Sequence, residues 1–413
     1  MRRRHRRAAR RLRRPNDKAR TPGHLSPAFE FFPVKFATTV LVFCVAALLA
    51  LGAVMLCSSP DGSTRFLHQM MWVGLGVIAC GLAALYDYRK LKRISWLIFA
   101  ASLVLLAAVF LPKIGLKING AHRWIDLHFV SFQPSELAKL ALIIILAHYI
   151  DHFGRQMSVL YKPAIVKGLL WPGLIILAVL GLIFKEPDYG TMLLLAAVSS
   201  MMLITGGTRI RLLLPIAIIG LAAVGYSIKH NQNRSGRIDA YLHPEKHLEG
   251  KAFQQYQAKI ALGSGGVIGV GLGDGRQKYG YVPENHTDFI FAIVGEELGL
   301  VATLGVVLAF LGIAICGIYI SSHACDRFGM MLGCGITFLI SLQAFINIGV
   351  VTGALPNKGL PLPFVSYGGS SVLMMLTGIG LLLNVARHAH EPVRRERGFN
   401  PFNPREVQST QVS

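Results

Sequence analysis

A succession of long apolar runs constrains this chain more than any other feature. They read Val34 to Cys57, Phe66 to Leu85, Ile94 to Leu111, Leu137 to Ile150, Val166 to Phe184, Thr191 to Thr205, Leu212 to Ile228, Phe289 to Ile320, Phe328 to Leu355 and Ser371 to Ala386. Most approach the roughly 20 residues that a helix needs to cross a bilayer. In hydrocarbon only a helix or a closed barrel satisfies its own backbone. The fold expected is therefore all-α, a polytopic transmembrane bundle of about ten helices with a long outer loop before helix 8. At 53% hydrophobic and 15% charged residues, composition argues against a water-soluble fold. Residues 34–390 are expected to form one membrane domain, since no polar segment is patterned to bury a core of its own.

The net charge of +21 is concentrated at the start, where Arg2, Arg3, Arg4, Arg6, Arg7, Arg10, Arg11, Arg13, Arg14, Lys18 and Arg20 face only Asp17. Residues 1–33 read as a disordered basic arm, and 391–413 as a polar tail. An arm just ahead of a spanning helix suits anionic lipid, at about 1 kcal/mol per basic residue. Membrane contact is the expected partner, not nucleic acid. The first run exceeds a signal-peptide core and no small-residue cleavage site follows, so it is expected to stay as helix 1. Lys and Arg collect in cytoplasmic loops. That places both termini inside, together with Arg89, Lys90, Lys92 and Arg93, then Arg155 and Lys162, then Arg209 and Arg211, and finally Arg394, Arg395 and Arg397. Residues 112–135, 185–190, 229–288 and 356–370 fall on the outer face.

Charge and hydrocarbon meet most abruptly at Pro283 to Gly299, where Asp288 stands ahead of an apolar run. An ionisable residue at a membrane mouth marks a reaction site, an ion path or a buried pair. The plainer alternative is that Thr287 or Asp288 caps a helix. Glu296 and Glu297, deeper on a continuous helix, point away from Asp288 and read as buried, hydrogen-bonded acids. A two-carboxylate glycosidase mechanism would need a partner from another helix.

Outer loops carry unexpected cations: Lys113, Lys117 and Arg123 in one, and Lys229, Arg234, Arg237, Lys251, Lys259, Arg276 and Lys278 in another. An anionic ligand explains them, although long loops tolerate charge and nearby acids balance part of it. The glycine run from Gly263 to Gly275 lacks the Gly-Lys-Ser/Thr ending of a phosphate-binding loop. Its glycines are expected to let backbone turn tightly beside the membrane. The six cysteines form no Cys-x-x-Cys pair and read as small packing residues. No histidine cluster suggests a metal, and His286 stands alone beside Asp288. Helix 4 opens at Pro134 and Ser135, and Glu136 and Lys139 then share one face at i, i+3. They are either a structural pair or a second charged element near Asp288.

Six segments together resemble the SEDS family (shape, elongation, division and sporulation) of bacterial peptidoglycan glycosyltransferases. They are Asn119 to Asp126, Gln133 to Lys139, Glu186 to Thr191, Ala261 to Gly266, Pro283 to Gly299, and Lys358 to Ser371. The resemblance implies ten transmembrane helices and polymerisation of lipid II, the undecaprenyl-pyrophosphate-linked disaccharide-pentapeptide, at the outer leaflet of the inner membrane. It puts the catalytic aspartate at Asp288, as general base for the acceptor hydroxyl. Supporting or substrate-binding positions then fall on Glu136, Lys139, Arg123, Trp124, Lys278, His286, Thr287, Lys358, Ser366, Tyr367 and Ser370. Arg123, Lys139 and Lys278 are the cations expected to stabilise a leaving diphosphate, with a divalent cation left open as the only cofactor. Ala258 and Val282 depart from the residues frequent in the family. The motifs Gly295 to Gly299 and Lys358 to Pro363 look like the division branch, which implies a class B penicillin-binding protein transpeptidase and other divisome proteins as partners, and a septal location. An elongation-type polymerase, a lipid II flippase and a non-enzymatic division scaffold are the alternatives. A flippase would show broken helices placed symmetrically in two halves, whereas Pro172, Pro187 and Pro215 interrupt one region only.

Overall fold

Helices form where the apolar runs predict them. A computed structural model describes residues 33–58, 62–111, 115–118, 121–126, 131–157, 166–229, 253–279 and 286–389, with isolated positions 236, 239, 241 and 243. The basic arm, apart from Pro33, and the tail 391–413 lie outside the described residues, as does much of the long loop between residues 229 and 288. In order come α1 (Val34–Ser58), α2 (Gly62–Leu85), α3 (Leu91–Ala108), α4 (Pro134–Met157), α5 (Trp171–Lys185), α6 (Tyr189–Thr205), α7 (Ile210–Lys229), α8 (Phe253–Ser264), α9 (Ile290–Ser322), α10 (Arg327–Val351) and α11 (Gly369–Arg387). Eight helices are long and apolar enough to cross a membrane, and α6 and the start of α7 are shorter apolar helices, which accounts for all ten runs.

Burial sorts these helices into two shells. The apolar stretches of α4, α10 and α11 are 72%, 61% and 67% buried, against 33% or less for α1, α2, α3, α5 and α9. The first three are therefore the centre of the bundle, and the others show apolar side chains to lipid. In α1 the inward stripe recurs every three or four residues, through Ala37, Leu41, Cys44, Leu48, Gly52 and Met55. Along α2 and α11 the backbones approach closely: a Cβ on Gly380 would lie 2.3 Å from the Cys80 carbonyl oxygen, a small-residue contact of the kind that packs helices in lipid.

One end of the bundle is held by a polar lock. Lys92 Nζ pairs with Asp151 (2.9 Å) and Asp326 (3.2 Å), and the Tyr88 hydroxyl donates to Asp326 (2.6 Å). Buried Asn384 shares its two Nδ2 hydrogens among the carbonyls of Ala83, Ala84 and Tyr86 around the end of α2. The lock joins the α2–α3 turn, the end of α4, the start of α10 and the end of α11. Asp288 belongs to the opposite end.

Two features depart from a plain helical bundle. Between α3 and α4 the chain forms an antiparallel three-stranded sheet, β1 (Gly115–Ile118), β2 (Ala121–Asp126) and β3 (Ser131–Phe132), in the order β1-β2-β3. The second departure corrects the continuous helix expected beyond Asp288. α9 is broken at Gly299, where φ is 74° and ψ is −168°. Leu300 to Ser322 extends about 34 Å at 1.5 Å per residue, enough to span alone. The Ile290–Leu298 piece, buried from Ile290 to Glu297, is a separate cap of about two and a half turns.

The glycine run closes that break. Leu300 and Val301 N–H donate to the carbonyls of Gly266 and Val267, while the Glu296 and Glu297 carbonyls accept from Val270 and Gly271 N–H. Four backbone groups beside the break thereby find partners, as burial requires. A Cβ on Gly299 would come within 2.3 Å of the Gly269 nitrogen, and one on Gly269 within 2.1 Å of the Glu297 carbonyl oxygen. Both glycines also have positive φ. The tight turning expected of this run is thus backbone laid against backbone.

Candidate active site

Asp288 lies in the turn 286–289 that leads into α9, and Phe289, which carries no capping group, holds the N-cap position. This turn has no regular ladder, so its carbonyls need donors from elsewhere. Tyr367 N–H donates to the His286 carbonyl (2.9 Å), Ser366 Oγ to that of Thr287 (2.5 Å), and Asn347 Nδ2 to that of Asp288 (2.8 Å). Three successive peptide groups are thereby pinned from α10 and the segment before α11. The His286 and Tyr367 rings lie 5.9 Å apart above this clamp.

Ser366 is its hub. Its hydroxyl also accepts from Leu362 N–H (2.8 Å), and its carbonyl accepts from Gln69 Nε2 of α2 (3.3 Å). Gln69 Oε1 in turn accepts from Gly368 N–H (3.2 Å). The turn around Ser366 is tight enough to put buried Phe364 at φ 66°, a conformation that a bulky residue keeps only when its surroundings impose it. The Asp288 carboxylate, half-buried, faces Gly359: a Cβ there would stand 3.1 Å from Asp288 Oδ2. Half-buried Lys358 precedes that glycine, and Ser370 is buried in the first turn of α11. His286, Thr287, Asp288, Lys358, Ser366 and Tyr367 thus come together at one mouth.

Glu136 and Lys139 form a pair on α4 with Nζ to Oε1 at 2.8 Å, at only 4% and 1% exposure. Lys139 Nζ also donates to Gln343 Oε1 on α10 (3.1 Å), and Gln343 Nε2 donates to the Pro361 carbonyl (2.9 Å). The pair therefore reaches the Lys358–Ser366 segment through an amide. Its ammonium is enclosed, which corrects the expectation that Lys139 meets a diphosphate directly. A small cavity of about 10 Å³ borders the pair, lined otherwise by Leu140, Ile336, Met375 and neighbouring apolar residues.

Lys278 is likewise turned inward. Its Nζ donates to Glu297 Oε1 (2.7 Å), the Gly273 carbonyl (2.7 Å) and Ser58 Oγ (2.9 Å), which fills the three donors of an ammonium. At 3% exposure its ammonium is enclosed by these partners, whereas the sequence placed it against a leaving diphosphate. Glu297 also accepts from Ser58 Oγ and Gly273 N–H, and Glu296 from Arg276 and Gln277 N–H. The two acids are buried and hydrogen-bonded, as their sequence position suggested.

Arg123, on β2, donates through Nε to the Glu186 carbonyl (3.1 Å) and through Nη2 to that of Pro187 (2.6 Å). Trp124, its neighbour on β2, is half-buried and pairs in register with Leu116. The α5–α6 turn that Arg123 grips touches the mouth, because a Cβ on Gly190 would lie 3.4 Å from the Lys358 carbonyl oxygen. Within this turn both Glu186 carboxyl oxygens are buried without a hydrogen-bond partner among the described residues. Burial, with Asp188 adding to it and Arg123 opposing, pushes Glu186 from 4.5 up to about 8. A raised pKa means the folded state binds the proton more tightly, so this stability is full below 4.5 and is lost as pH rises through about 8. Glu186→Gln, permanently neutral, is expected to hold its melting temperature between about pH 5 and about pH 9 better than wild type does. Parallel decline of both proteins in detergent would remove Glu186 as the cause.

Sequence reading missed Gln69, Gln343 and Asn347. A signal was there: Gln343 and Asn347 stand four apart, on one face of an otherwise apolar run, and a buried amide in a spanning helix is costly unless paired. Among the described residues no three or more His, Cys, Asp or Glu side chains gather as a metal-binding group.

Residues 35–391 match the model of the FtsW/RodA/SpoVE family, described as cell cycle proteins. The chain is 38% identical over 356 residues to a probable peptidoglycan glycosyltransferase FtsW of Trichlorobacter lovleyi, covering 84% of this chain and 92% of that one. It is 36% identical over 359 residues to the stage V sporulation protein E of Bacillus subtilis, covering 85% and 97%. Among solved structures, a chain from work on the coordination of polymerization and crosslinking by a peptidoglycan synthase complex superposes with a TM-score of 0.72 at 29% identity, over 85% of this chain and 98% of that one. The rod shape determining protein RodA of Thermus thermophilus gives 0.64 at 29% identity, over 85% and 97%. With its helical order, its motifs and this match over nearly all of the membrane domain, the chain belongs to the FtsW/RodA/SpoVE family of cell cycle proteins.

Proposed function

We propose that this protein polymerises lipid II into glycan strands at the outer leaflet of the bacterial inner membrane, as the division-type glycosyltransferase of septal wall synthesis. The observation that carries the reading is a half-exposed carboxylate, Asp288, mounted on a turn whose three carbonyls are all pinned. Such a mount is what a general base needs, since its oxygen must meet a hydroxyl proton at hydrogen-bond distance. Asp288 takes the proton from the 4-hydroxyl of the acceptor GlcNAc. That oxygen attacks C1 of the donor MurNAc from the face opposite the leaving group, the bond from C1 to the phosphate oxygen breaks, and undecaprenyl pyrophosphate departs with the electron pair. The product is inverted at C1.

A diphosphate leaves without a carboxylic acid to protonate it when positive charge stands nearby. Lys358, which precedes the glycine facing Asp288, is the cation we assign to this, with Arg123 beside the adjoining turn. A divalent cation carried in on the diphosphate is the other source of charge. Relatives named FtsW at 38–39% identity favour division over elongation. A class B penicillin-binding protein is the partner proposed, supported by the synthase complex among the structural neighbours.

The deciding assay gives the purified full chain fluorescent lipid II, with and without a class B penicillin-binding protein. Glycan polymer supports the reading. Transport of lipid II across a vesicle membrane without polymer would make the protein a flippase, and neither outcome would leave a scaffold. Orientation is tested by cysteine labelling from outside the cell in a Cys57→Ser background. Exposed Tyr279→Cys is expected to label in intact cells, whereas exposed Ile210→Cys labels only after permeabilisation. The reverse pattern would invert the topology.

A further inference from the structure

We propose that Asn347, on α10, is a positioning residue that sets Asp288 at its working distance from the acceptor hydroxyl. The inference rests on the reading of Asp288 as general base. Asn347 is buried, and its amide nitrogen has two N–H donors. One goes to the carbonyl of Asp288 itself (2.8 Å) and the other to that of Leu360 (2.7 Å). Both acceptors belong to backbone without a ladder of its own, and they flank the carboxylate. One peptide bears the acid; the other follows Gly359, whose Cα faces Asp288 Oδ2. A single amide therefore fixes the separation between the acid and the wall beside it.

Satisfying buried carbonyls is what any buried amide does, so the choice of carbonyls decides the case. Gln343, one turn earlier on α10, already ties the same loop at Pro361 and also accepts from Lys139. Asn347 adds what Gln343 does not reach, the peptide group of the acid. The side chain also has no ready substitute. A glutamine is longer by a methylene, an aspartate offers no donor, and a serine offers one.

The test measures lipid II turnover per folded molecule for the full chain with a class B penicillin-binding protein, in wild type, Asn347→Leu, Asn347→Ser and Asp288→Asn. A displacement near 1 Å lowers rate on the order of 10²-fold. Asn347→Leu is expected to lower kcat by about 30- to 100-fold with KM changed less than about threefold, and Asn347→Ser, which keeps one donor, by about 3- to 10-fold. A purely structural amide would reduce the folded fraction and leave kcat of the remaining molecules unchanged. If Asp288→Asn is inactive while either Asn347 variant turns over at the wild-type kcat, the positioning role is wrong and the base reading stands. An active Asp288→Asn ends both. Failure of both Asn347 variants to fold also overturns the proposal, because the amide would then be a folding element.

Discussion

Asp288→Asn is expected to abolish glycan polymerisation in a protein that still folds and inserts. The clamp on residues 286–288 grips main-chain carbonyls, so an asparagine leaves all three hydrogen bonds in place. No core is emptied either, because the carboxylate is half-exposed at the mouth and the apolar packing begins at Phe289. What disappears is the ability to accept a proton. Losing a general base lowers rate by roughly 10²- to 10⁴-fold, and Asp288→Ala should fall in the same range. Initial rates with lipid II and melting temperature in detergent check the two halves separately. A variant polymerising within about tenfold of wild type would remove Asp288 from the chemistry.

The second large effect is expected at Glu136 and Lys139, and it separates stability from turnover. Removing either partner alone leaves one charge buried among apolar neighbours, a change worth about 3–5 kcal/mol against the fold. Glu136→Gln with Lys139→Gln removes both charges and should recover most of that stability, since deleting a buried pair is often tolerated. Turnover should not recover with it. Lys139 orients Gln343, and Gln343 holds Pro361 in the segment that walls Asp288, so the folded double variant keeps a looser mouth. Melting curves and lipid II turnover on the two single variants and the double variant decide the matter. A double variant as stable and as active as wild type would show that the pair has no bearing on the site.

How much of this was legible in the sequence differs from one element to the next. Spanning helices announce themselves because hydrocarbon demands long apolar runs, and all ten runs became helices. The mouth was legible in part: the segments from Pro283 and from Lys358 stand far apart in the chain, and their outer placement and resemblance suggested a shared site. The direction a charge faces was not. Lys139 and Lys278 read as available cations, yet each is consumed by partners on other elements, Gln343 in one case and Ser58 in the other. Such pairings follow from tertiary contact, which local pattern does not encode. The break at Gly299 left a trace in length alone. A run of 32 residues is too long for one crossing, but nothing local says where it interrupts. The small sheet after α3 escaped notice because six-residue and shorter strands among loop residues carry little periodicity.

The capped break in α9 also bears on the order in which the protein is made. Glu296 and Glu297 emerge from the ribosome at the head of a strongly apolar segment, where a bare carboxylate opposes entry into lipid. Among the described residues, the side chains and amides that receive them all lie earlier in the chain: Ser58, Gly273, Arg276, Gln277 and Lys278. Four of those five partners lie within 24 residues of the acids, so the closing loop is short and its entropy loss small. The acids' partners are thus already synthesised when their helix begins to partition, and this step of insertion does not wait on chain still to be translated.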